Sequence, residues 1–82
     1  MSAITHRLVG YDRVTDRVAD EHPVPAAVLP RAKQIARVPA DDPDAAACYH
    51  LSSSGARDLA GFISVGINTE RHDYFLEGFA AE

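Results

Sequence analysis

Between His72 and Phe79 lie three of the chain's six aromatic residues, Tyr74, Phe75 and Phe79. Side chains alternate across an extended chain. As a strand, this stretch sends Tyr74 and Leu76 to one face and Phe75 and Phe79 to the other. Large apolar groups on both faces need cover on both: a core on one side, and a second layer or a partner on the other. The stretch is therefore predicted to be the closing strand of a small sheet.

The preceding residues supply the rest of that sheet. Ile4 to Tyr11 reads as a strand, with β-branched and aromatic residues and no proline, although Leu8 and Val9 adjoin and spoil the alternation. Asp12 to Asp16 offers turn residues whose carboxylates bond nearby amides. Arg17 to His22 returns as a second strand, with Val18 inward and Arg17 and Glu21 outward, stopped by Pro23 and Pro25, which cannot donate to a ladder. From Ala26 to Val38 the period is helical, with Val28, Ala32, Ile35 and Ala36 on one stripe. Pro30 fits only a first turn, so the start falls between Ala26 and Pro30, and Pro39 ends the helix. After an acidic loop, Ala46 to Leu51 forms a third strand, with Ala47, Tyr49 and Leu51 on one face and Cys48 and His50 on the other. Ser52 is a natural N-cap for a second helix whose stripe is Ala56, Leu59, Ala60 and Ile63. Gly66 suits a left-handed terminator, while Ile63, Val65 and Ile67 also alternate, so the tail of this helix could be extended. The expectation is an α+β fold over residues 1–82 as one domain: a two-layer, four-stranded, largely antiparallel sheet with two helices on one face, in the order β-β-α-β-α-β.

Composition narrows the function classes. A chain of 82 residues buries only about 60–65% of the surface exposed by its unfolded form, and oligomerisation is a common remedy for the resulting marginal stability. Twelve acids against eight bases give a net charge of −4, which argues against a general nucleic-acid binder. No apolar run reaches the roughly 20 residues that cross a bilayer, and the first residues lack the pattern of a secretion signal. With a single cysteine, Cys48, and so no internal disulfide, these features favour the cytoplasm.

One set of features runs nearly the length of the chain: Tyr11-Asp12, Thr15-Asp16, Asp42-Pro43-Asp44, Cys48-Tyr49-His50-Leu51, Leu59, and Asp73-Tyr74-Phe75-Leu76-Glu77 at the end. The set resembles a group of small bacterial proteins of unknown function that end in an Asp-Tyr-Phe-Leu-Glu motif. The resemblance implies a bacterial origin and no established activity. Some small proteins of this general build act as immunity or antitoxin-like partners.

Several constellations could carry chemistry. His6, His22, His50 and His72 each fall in or beside a strand and could meet on one face. Cys48 and His50 project from the same side, and thiolate with imidazole suits zinc. The competing reading is scattered surface histidines and a small, apolar-behaving cysteine, since no second ligand pair stands at short spacing. Cys48 and His50 are also about 7 Å apart, too far for direct activation of a thiol. Ser52, Ser53 and Ser54, at a helix start, could hold a small anion, or merely cap the helix. Arg31, Lys33 and Arg37 read as a contact for an acidic partner or a short stretch of nucleic acid, or as a solvated helix face. Asp41, Asp42 and Asp44 read as a cation or basic-partner site or as a solvated loop. Phe75 and Phe79, with Tyr74 beside them, form either a contact patch or a surface covered within the chain. No nucleophile, base and orienting group can be named together. The chain is therefore expected to be a non-enzymatic interaction domain without a cofactor, a homodimer that binds another protein through its last strand. The alternative is a metal- or anion-binding domain using Cys48 and His50 or the segment from Ser52 to Gly55.

Overall fold

The structure, a computed structural model, describes residues 4–80. The elements run β1 (Ile4–Asp12), β2 (Val18–Val24), α1 (Leu29–Ala36), β3 (Cys48–His50), α2 (Ser53–Phe62) and β4 (His72–Ala80). The four strands form one antiparallel sheet in the order β2-β1-β4-β3. The expected α+β class and element order are both present.

The last strand is not at an edge. It lies between β1 and β3 and pairs with β1 over its whole length, from Ile4 opposite Ala80 to Asp12 opposite His72. Its two-faced apolarity suits an interior position, where both sides of a strand need cover. The same holds for β1, where the adjoining Leu8 and Val9 are both buried, at 0% and 1% exposure, on opposite faces.

Both helices pack on one face. Leu8, Val24, Leu51, Tyr74 and Leu76 of the strands and their margins meet Ala32 of α1 and Ala56, Leu59 and Ala60 of α2 in a single cluster. Leu8, Leu59 and Leu76 are fully buried, and each contributes about 1.5–3 kcal/mol relative to exposure. The helix stripes read from the sequence are the ones used.

Local chemistry sets the boundaries. Asp12 accepts from the amides of Val14 and Thr15, closing the first turn, and Asp16 takes a left-handed φ of 57°. β2 continues through Pro23 to the buried Val24, past the expected stop, because an edge strand can lose one donor without leaving a neighbour unpaired. Val18, expected inward, is instead 51% exposed beside a register shift at Gly10 and Tyr11. α1 starts at Leu29 with Pro30 in its first turn, after turns that begin at Pro25. Ser52 caps α2 as expected, accepting from the amide of Gly55 at 3.0 Å. The left-handed residue after α2 is Ser64, at φ 59°, and not Gly66. β3 has three residues rather than six. The loop before it is held by Asp42, whose carboxylate accepts from the amides of Ala46 and Ala47 and from the Tyr49 hydroxyl. Among the described residues, no helix is long and apolar enough to cross a membrane.

Candidate functional site

Register decides which side chains share the face opposite the helices. On β4 these are Asp73, Phe75, Glu77 and Phe79. Their β1 partners are Tyr11, Val9, Arg7 and Thr5, and β3 adds Cys48 opposite Glu77 and His50 opposite Phe75. Glu21 of the edge strand β2 flanks Val9. Among the described residues, no helix packs on this face.

Its centre is aromatic. The Phe75 ring meets Tyr11 edge-on at 5.5 Å between centroids and His50 at 5.0 Å, so a row of three rings crosses β1, β4 and β3. Val9, the β1 partner of Phe75, is buried. Toward the other end, the Arg7 guanidinium sits 4.6 Å from the Phe79 ring centroid and pairs with Glu21 at 3.1 Å. Such exposed ion pairs contribute little stability. Phe75 and Phe79 are both partly exposed, on the side that alternation assigned to them. Tyr74, grouped with them in the sequence reading, is turned to the core at 2% exposure and belongs to no outer surface.

Glu77 organises the polar chemistry of the face. It accepts from the Tyr11 hydroxyl at 2.6 Å, and this bond, with some desolvation, pushes the phenol from its ordinary 10 up to about 12. Some desolvation, then the charge and hydrogen bond of Glu77, raise the exposed Cys48 thiol as well. A raised thiol ionises less readily, and it is the thiolate that acts as nucleophile or metal ligand. Tyr49 is likewise pushed up to about 12 by its bond to Asp42, whose own carboxyl is lowered by that bond and by the amides of Ala46 and Ala47. A raised tyrosine favours the neutral folded form. The stability it supplies is whole below pH 10 and is lost as pH climbs towards 12. Urea midpoints measured from pH 9 to 12 should therefore fall more steeply in the native chain than in a Tyr11→Phe, Tyr49→Phe double variant. Equal slopes would show that neither bond persists in solution.

A second polar group lies on the helix side, near the start of β4. The Tyr74 hydroxyl donates to Asp20 at 2.8 Å and accepts from the Asn68 amide at 3.2 Å. His22 Nε2 lies 3.4 Å from the same Asp20 oxygen, and His72 Nδ1 lies 3.7 Å from the other, which is buried without a hydrogen-bond partner. The four histidines thus do not converge. His22 and His72 flank Asp20, His6 is buried against the Asp44 carbonyl at 2.9 Å, and His50 is on the opposite face. Among the described residues, no three His, Cys, Asp or Glu side chains are placed to hold one metal ion.

Several of the other sequence candidates have structural partners. Ser52 is engaged by Gly55 and lies 3.3 Å from the Ser54 hydroxyl, while Ser53 lines a small cavity of about 50 Å³ in which Asp73 pairs with Arg13 at 3.0 Å. Lys33 donates to the Pro43 carbonyl, and Arg31 sits over Phe62. Asp42 is the organiser of its loop. Sequence reasoning missed Arg7, Tyr11, Glu21 and Glu77 as companions of Phe75. Arg7, Val9 and Tyr11 share one side of β1, and only the pairing of β1 with β4 shows that this side meets Phe75.

A family model described as a domain of unknown function matches residues 5–77, from β1 well into β4. No curated protein and no solved structure matches the chain.

Proposed function

The chain belongs to the DUF7683 family, and from that premise we propose that it is a non-enzymatic domain that binds another protein through the helix-free face of its sheet. One observation carries the reading: the aromatic row of Tyr11, Phe75 and His50 lies across three strands on a face that carries no helix. An apolar centre with charged residues around it is the usual anatomy of a contact surface.

The sheet edges are poorer candidates. β2 presents Asp20, Glu21 and Pro23 along seven residues, and β3 offers only three. Charges, proline and short length all discourage strand addition, which leaves the face as the place for a partner. If the partner is a toxin, this face makes the chain an immunity protein.

The test is affinity capture from native extract with the wild-type chain and with Phe75→Asp, after circular dichroism has shown the two folds to match. A protein of different mass should be retained by the wild type and lost by the variant. An identical captured set would refute the reading.

A further inference from the structure

We propose that this face also accepts a second copy of the same chain, with the two-fold axis lying between the sheets and running parallel to β1 and β4, midway between them. The inference rests on reading the helix-free face as a contact surface, and it names one occupant.

The argument comes from the register. Turning a copy by half a turn about that axis places β1 of one copy over β4 of the other, and β2 over β3. Each β1 residue then faces the counterpart of its own β4 partner. Arg7 faces Glu77, Val9 faces Phe75, Tyr11 faces Asp73, and Thr5 faces Phe79. At the flanks, Glu21, opposite Val9, comes over His50, opposite Phe75. Glu77, which already accepts from Tyr11, thereby gains the guanidinium of the other copy's Arg7, Glu21 gains the other copy's His50, and the half-exposed Phe75 and Phe79 rings of each copy are covered by β1 of the other. A two-fold interface requires this self-complementarity. Because the face mixes both signs of charge, it matches its own copy better than a partner of one strong charge.

Area sets the strength. At about 3.3 Å per residue and 4.8 Å between strands, the sheet offers a footprint of roughly 450 Å² per copy. Because β3 covers only three of the seven β2 residues, the overlap is roughly 380 Å² per copy and roughly 760 Å² in all before side-chain relief is added, which is below the size of a permanent interface. The dimer is accordingly a reversible one that dissociates on dilution.

Charge exchange tests the arrangement. Arg7→Glu sets glutamate against Glu77 twice, and Glu77→Arg sets arginine against Arg7 twice. Each variant alone should dimerise at least about tenfold more weakly than the wild type. Mixed together, the two variants face each other with opposite charges at both positions, and sedimentation should show dimer again. Circular dichroism on each variant separates misfolding from dissociation, and Phe75→Asp gives a second, charge-independent disruption. A wild-type chain that stays monomeric at millimolar concentration overturns the proposal, as do single variants that remain dimeric or a mixture that stays monomeric. If the wild type is monomeric while Phe75→Asp still loses a captured foreign protein, only the second-copy inference fails. If that capture is also unaffected, the contact-surface reading fails with it.

Discussion

Gly10→Ala is expected to destabilise the fold by about 3 kcal/mol, the cost of overpacking a tight interior. Gly10 sits on the helix side of β1, with Asp20 and Tyr74 as its two cross-strand partners. A β-carbon there would lie 2.2 Å from Asp20 Oδ1 and 2.6 and 2.9 Å from atoms of the Tyr74 ring. Backbone freedom is not the reason for glycine here, because no glycine among the described residues has a positive φ. Space is the reason: the tyrosine ring occupies the place where a side chain would stand. Asp20 could swing away only by giving up the Tyr74 hydroxyl, so relaxing one clash breaks a bond. In a domain of this size each kcal/mol lowers the melting temperature by about 4–8 °C, so the shift should be readily measured by calorimetry. Gly61→Ala is the control. It lies inside α2 with nothing within 4 Å of the added carbon, and it should stabilise by about 0.5–1 kcal/mol through helix propensity. Similar melting curves for the two variants would refute the packing argument.

Tyr74→Phe is expected to cost about 2 kcal/mol, since it removes a buried hydroxyl that bonds a carboxylate and an amide at once. The ring stays and keeps the hydrophobic contact, so the loss isolates the polar part. Asp20 is left with His22 beside that oxygen, and the Asn68 amide loses its acceptor. The side chain of Asp20 is 25% exposed, so water reaches part of it and limits the penalty. A double-mutant cycle with Asp20→Ala, read by urea unfolding, should give a coupling energy of about 1 kcal/mol or more. Additive losses would mean that the two groups do not interact in solution.

Much of the architecture was legible because it depends on local patterns. Alternation in His72 to Phe79 put Phe75 and Phe79 opposite Leu76, and the helical stripes predicted the buried Ala32, Ala56, Leu59 and Ala60. Ser52 was legible as a cap because its chemistry is local. The misreadings share a different cause. Pro23 ends a strand only if that strand is interior, and nothing near Pro23 says that β2 is at an edge. Val18 was turned outward by a register shift that depends on β1. Gly66 had the right chemistry for a left-handed turn, but the helix ended earlier and Ser64 took the role. The candidate site was legible only in part for the same reason. Phe75 was visible, whereas its meeting with Tyr11 and Arg7 depends on pairing segments more than 60 positions apart.

The placement of β4 beside β1 bears on how the chain is made. The middle of the sheet joins the first strand to the last, so Leu8 and Val9 emerge from the ribosome long before their partners exist. At about 5–20 residues per second, the roughly 60 residues between the two strands take about 3–12 s to synthesise. During that interval β1 is an oily ribbon with open hydrogen-bonding edges. The sheet can therefore close only after β4 has been translated.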